Sequence, residues 1–80
     1  MTDQEIYAGL TEIFQDAFSD SQIALKPETT ARDVPGWDSV KMVSLIIATE
    51  ERFGIKMRSR EIDKLESVGD FVSLIRSKLN

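Results

Sequence analysis

Two stretches of helical apolar spacing, separated by nineteen residues that have none, govern what this chain can fold into. In the first, Ile6, Leu10, Ile13, Phe14, Ala17 and Phe18 recur at the three- and four-residue intervals of an amphipathic helix. Thr2 followed by Glu5 adds a capping-box pattern, in which hydroxyl and carboxylate each satisfy an amide at the helix start. The spacing predicts a helix from about residue 3 to about residue 18. In the second stretch, Met42, Leu45, Ile46, Thr49 and Phe53 fall on one stripe, predicted to face the core of a helix that begins at Asp38 or Ser39 and runs to Phe53. Gly54 follows, suited to the left-handed conformation past a helix end. Val40, Val43 and Ile47 form a neighbouring stripe that leads away from the core one.

Between these helices, Pro27, Thr29, Thr30, Pro35 and Gly36 punctuate a loop from Ser19 to Trp37. A loop this long in so short a chain needs anchoring, and Ile23, Leu25, Ala31, Val34 and Trp37 are the apolar candidates. After the second helix, Ile55-Lys56-Met57 alternates too briefly to support a strand. Ser59 is then expected to cap a brief helix containing Ile62 and Leu65, and Ser67 with Asp70 to box the start of a last helix bearing Phe71, Val72, Leu74, Ile75 and Leu79. The fold expected is all-α: a four-helix bundle with a short third helix and a long loop between helices 1 and 2. With no repeat, low-complexity tract or linker, residues 1–80 are expected to form one domain.

Eighty residues leave room for one modest core and none for a second lobe to close over a substrate, which disfavours a self-contained enzyme. The chain has no Cys and no His, so disulfides, thiolate chemistry, Cys/His zinc sites and imidazole catalysis are excluded together. A net charge of −4 has the wrong sign for a protein that binds by neutralising phosphates, and nucleic acid is not an expected partner. The acidity is uneven. Residues 1–37 hold seven acids and two bases, residues 38–80 seven acids and eight bases. The longest apolar run, Leu45-Ile46-Ile47-Ala48, cannot span a bilayer, and Met1-Thr2-Asp3-Gln4-Glu5 lacks the regions of a signal peptide. The expected setting is cytoplasmic, without a membrane partner, and nothing in the sequence asks for more than a monomer.

Gly36-Trp37-Asp38-Ser39-Val40 is the arrangement most suited to chemistry, because it places a hydroxyl where a loop turns into an apolar helix. Asp and Ser are both preferred N-caps, so one reading is a cap and nothing more. A nucleophilic Ser39 would need a base; Lys41 is the only candidate nearby, and nothing in the sequence desolvates it. A third use needs no base: Ser39 as the acceptor of a group added by another enzyme. A phosphodiester there would suit the unpaired amides and positive dipole of the helix N-terminus.

The run from Gly36 to Val40, followed by Leu45-Ile46-Ile47-Ala48-Thr49-Glu50-Glu51-Arg52-Phe53-Gly54-Ile55 and by Ile62, Leu65 and Ser67-Val68-Gly69-Asp70-Phe71, resembles the acyl carrier protein family over most of the chain. The resemblance implies that Ser39 receives a 4′-phosphopantetheine arm from coenzyme A through a phosphopantetheinyl transferase. The arm's thiol would carry acyl groups as thioesters between loading and transferring enzymes. Asp38, which precedes the modified serine, would support the transfer, without forming a standing metal site of its own. Val40, Val43 and Ile47 match positions through which similar carriers meet partners, and Glu50 and Glu51 match positions that meet basic partner surfaces. No residue is expected to be catalytic.

The chain departs from the family in several places. Lys41, Ser44 and Arg52 interrupt the acidic second helix, and Arg58 and Arg60 make the start of the short helix basic. Diluted charge changes which partners are met fastest, which suggests a specialised lipid or secondary-metabolite pathway. Thr49 stands where a Leu is usual, either bonding back to its own helix or lining a cargo pocket. Val40, Val43 and Ile47 either dock partners or pack beneath the long loop. An aminoacyl or peptidyl cargo, and a small helical interaction domain with no prosthetic group, stay open as alternative functions.

Overall fold

Thr2 opens the first helix through reciprocal bonds: Glu5 N–H donates to the Thr2 hydroxyl at 3.2 Å, and Thr2 N–H donates to Glu5 Oε1 at 2.9 Å. The second bond holds the Glu5 carboxyl below its ordinary pKa, the backbone donor being the main cause. In the computed structural model, which describes residues 1–79, this helix is α1, Asp3–Phe18. It is followed by α2, Ser39–Phe53, α3, Ser59–Ile62, and α4, Val68–Leu79. Both long expected helices therefore have the predicted bounds.

α1 lies against both α2 and α4. Its Ile6, Leu10 and Phe14 meet Leu45 of α2 and Val68, Phe71 and Ile75 of α4 in the fully buried interior. Phe14 is the hub. The Trp37 ring meets it edge-on at 5.0 Å and 84°, and the Phe71 ring at 6.5 Å and 71°. Ion pairs outside the core, Arg52 to Glu12 and Arg76 to Asp3, join α2 and α4 to α1 at 2.7 and 2.6 Å.

α2 ends at Gly54, whose φ of 65° puts it in the left-handed region expected of it. Beyond it Ile55 and Met57 point inward and Lys56 outward, and no strand forms among the described residues. The Met57 N–H is satisfied by Glu50 Oε2 at 2.8 Å.

The loop from Ser19 to Trp37 is fastened along its length. Gln15 donates from its amide to the Ser21 and Ile23 carbonyls, Val34 is buried, and Ile23, Leu25 and Trp37 pack against the core. Ala31, also expected to anchor, is exposed. Thr30 N–H donates to Asp33 Oδ2 and Asp33 N–H to Thr30 O, both at 2.9 Å, and the tight turn this makes leaves Ala31 on its outer side. Thr30 pairs with Ser67, while Val68 and Gly69 donate their N–H groups to Thr29 O at 2.8 Å and Pro27 O at 2.9 Å. Loop carbonyls thus satisfy amides that the first turn of α4 would otherwise leave without partners. The expected box at the same helix start is also present, with Asp70 N–H on Ser67 Oγ and Ser67 N–H on Asp70 Oδ2, both at 3.2 Å.

The short third helix differs in detail from the expectation. Its N-cap is Arg58, not Ser59, because Glu61 reaches back to accept from Arg58 N–H at 2.9 Å; Ser59 is already helical. The helix ends at Ile62 after a single turn, and Leu65 lies beyond it in the turn that leads to α4. Lys78 of α4 meets Glu61 at 2.8 Å and is the chief cause of the lowered Glu61 pKa.

Candidate functional site

Four features meet where the loop becomes α2. Trp37, held edge-on by Phe14, sets the direction of entry. Asp38, in extended conformation, caps the helix by accepting from Lys41 N–H at 2.8 Å, so the capping reading of this residue is satisfied. Ser39 is the first helical residue and is exposed. Its hydroxyl has no hydrogen-bond partner among the described residues, which leaves the oxygen free at the positive end of the helix dipole.

Lys41 does not serve Ser39 as a base. Its ammonium donates to Ala17 O at 2.8 Å and lies 5.3 Å from the centre of the Phe18 ring. α1 has no basic residue in its own last turn, and Lys41 supplies that charge from α2. Arg52 is drawn to α1 in the same way, by Glu12. Two of the cations that interrupt the acidic pattern of the second helix are therefore engaged with a neighbouring helix.

The second stripe of α2 faces outward: Val40 is 77% exposed, Val43 59% and Ile47 51%. None of the three is covered by the long loop. Glu51 is exposed beside them, whereas Glu50 is half-buried and occupied by the Met57 amide. Thr49 is fully buried, and its hydroxyl donates to Leu45 O at 2.7 Å, the back-bonded alternative; it lines neither groove beside Ser39.

Two grooves open beside Ser39. One, about 280 Å³, lies against the turn before α4 and includes Trp37, Asp38, Leu65, Ser67 and Phe71. The other, about 350 Å³ and more apolar, runs between α2 and α3 along Val43, Ile46, Ile47 and Ile62. A larger hollow of about 560 Å³ sits within the long loop and does not reach Ser39. Among the described residues, Ser39 and Met42 alone line both grooves beside the helix mouth. Helical spacing places Met42 on the core stripe but carries no signal of this border position, which depends on side chains more than twenty residues away. Among the described residues no group of three or more Asp or Glu side chains is placed to hold a metal ion.

An accessible, unpartnered serine at a helix mouth, flanked by an exposed apolar stripe and two grooves, suits attachment of a long flexible group better than catalysis. Comparison with known proteins agrees. Residues 8–75 match the family described as "Phosphopantetheine attachment site". An acyl carrier protein of Acidothermus cellulolyticus is 33% identical over 75 residues, 94% of this chain and 89% of its own length. A meromycolate extension acyl carrier protein of Mycolicibacterium smegmatis is also 33% identical, over 94% of this chain and 76% of its own. Among solved structures, the holo acyl carrier protein from Geobacter metallireducens superposes with a TM-score of 0.86 at 40% identity, covering 91% of this chain and 84% of that one. The chain belongs to the acyl carrier proteins, the phosphopantetheine-bearing family whose members are carriers and not enzymes.

Proposed function

We propose that Ser39 is the attachment point of the 4′-phosphopantetheine arm, and that Asp38 orients it by fixing the first turn of α2. The observation that carries this reading is the exposed Ser39 hydroxyl, free of any partner among the described residues, at the N-terminus of a helix. A phosphopantetheinyl transferase would bring coenzyme A to this oxygen; the hydroxyl would give its proton to the transferase and attack the pantetheine-bearing phosphorus, the pyrophosphate bond would break, and adenosine 3′,5′-bisphosphate would leave. The phosphodiester then sits at the positive end of α2, where the helix dipole favours an anion. The arm's thiol holds cargo as a thioester, and tethering replaces free diffusion by a high local concentration at each partner's active site.

The cargo is an acyl group in a specialised lipid pathway. The names of the relatives favour acyl over aminoacyl or peptidyl cargo, and one of them belongs to meromycolate extension. Val40, Val43 and Ile47 dock the transferase and the acyl-handling enzymes, with Glu51 at the edge of the patch. Glu50 contributes less, since its carboxylate is engaged within the fold. The carrier acts as a single domain and a monomer, because a permanent self-interface on this patch would close off Ser39. Loading takes place where coenzyme A is supplied, and the cytoplasm is the compartment this reading favours.

Incubation with coenzyme A, magnesium and a broad-specificity transferase is expected to add the mass of one phosphopantetheinyl group to the wild type and none to Ser39→Ala. An unmodified wild type beside a loaded control carrier overturns the assignment, as does modification that persists in Ser39→Ala.

A further inference from the structure

Met42 occupies the border between the two grooves that open at Ser39. One is lined by aromatic Trp37 and Phe71 together with Leu65 and Ser67, and the other by the aliphatic side chains of Val43, Ile46, Ile47 and Ile62. Apart from Ser39 itself, Met42 is the one described residue that lines both. A methionine is the most adaptable of apolar side chains, and at a border it would ordinarily rearrange to suit whatever pressed on it. Here it is restrained. The Trp37 indole N–H donates to Met42 Sδ at 3.3 Å, Trp37 is itself seated edge-on against Phe14 at 5.0 Å, and Phe14 is fully buried at the centre of the core. A chain of three side chains thus fixes the sulfur in place from the interior outward.

We infer that Met42 is the residue that sets how large a cargo the carrier can shelter, by keeping the two grooves separate. This rests on the reading of Ser39 as the attachment point. An acyl chain held as a thioester on the arm's thiol enters one groove when the arm folds back along the surface beside Ser39, and the portion that exceeds the groove stays in water. Shortening Met42 joins the grooves and admits a longer chain. Loosening its sulfur by removing the indole donor moves the carrier in the same direction by a smaller amount.

The test loads octanoyl- and dodecanoyl-pantetheine arms from the corresponding acyl-coenzyme A onto the wild type, Met42→Ala, Met42→Leu and Trp37→Phe. The release of each acyl group by hydroxylamine is then followed by mass spectrometry. The dodecanoyl-to-octanoyl ratio of release rates is expected to fall roughly tenfold in Met42→Ala, the value for sheltering about two further methylenes. Met42→Leu, which keeps most of the bulk but gives up the restrained sulfur, and Trp37→Phe, which gives up the donor, are both expected to fall between. An unchanged ratio in a Met42→Ala protein with wild-type circular dichroism overturns the inference. Should that variant lose its helical signal, Trp37→Phe decides, and an unchanged ratio there overturns the inference equally. Failure of the wild type to accept any arm is a separate result, and it overturns the assignment of Ser39 itself.

Discussion

Thr49 shows how a polar side chain is accommodated in a dry interior. Its hydroxyl is fully buried yet satisfied by Leu45 O, so it leaves no donor stranded and opens no pocket. Back-bonding of this kind adds little to helix stability and can slightly oppose it. Thr49→Val, which keeps the shape and deletes the hydroxyl, is therefore expected to stay within about 1 kcal/mol of wild type, read as the urea midpoint at constant slope. Thr49→Leu is expected to lose about 1–3 kcal/mol despite introducing the residue usual in the family, because Thr49 is fully enclosed and a larger side chain there must displace its neighbours. A Thr49→Leu protein more stable than wild type would show that the core beside Leu45 is underpacked. Lys41 offers a second lesson at this scale. A charge that the sequence places on α2 acts at the end of α1, so its sign says little about the surface a partner meets.

At the scale of elements, the junction of the long loop with α4 is the point most sensitive to a single atom. Gly69 brings its N–H to Pro27 O, and a Cβ added there would lie 2.9 Å from that same oxygen and 3.4 Å from Pro27 Cα. Both neighbours are backbone, so neither can swing aside. Gly69→Ala is expected to cost about 1–3 kcal/mol by thermal or urea denaturation, although alanine is the better helix former. A neutral or stabilising result would mean that the loop separates from α4 at little cost. This contact was not legible in the sequence, since Gly69 and Pro27 are 42 positions apart, whereas the helix starts at Thr2, Asp38 and Ser67 were, because each is written within four residues. The bounds of α1 and α2 followed from periodicity sustained over several turns. α3 spans one turn, too little for periodicity to register, which is why its cap was placed at Ser59 and its extent carried to Leu65. At the site, the helix start beside Ser39 and the outward stripe were legible from local spacing, whereas a role for Ser39 as acceptor rested on the resemblance to a family. The grooves were not legible, because they exist only once four segments have been brought together; the Trp37–Met42 contact spans five residues, but helical periodicity carries no signal of it.

The whole molecule measures 31 × 25 × 22 Å with a radius of gyration of 11.4 Å, close to the roughly 12 Å expected of a compact chain of this length. On a body this small, one exposed apolar stripe is a large share of what a partner can grip. Val40→Asp is expected to lower the efficiency of arm attachment about tenfold while circular dichroism and melting temperature stay near wild type. A loss of helix content instead would assign Val40 to the core, and unchanged attachment would remove it from the docking surface. The fastening of the long loop to α4 also bears on the molecule as a whole. α1 touches both α2 and α4, and the loop ties the approach to α2 back onto the first turn of α4 through Thr29, Thr30 and Ser67. These links form a closed mechanical circuit, so a pull applied at position 39 is shared between two routes to the C-terminal helix. A partner that pulls at this position therefore tugs against the entire scaffold, and not against a single hinge.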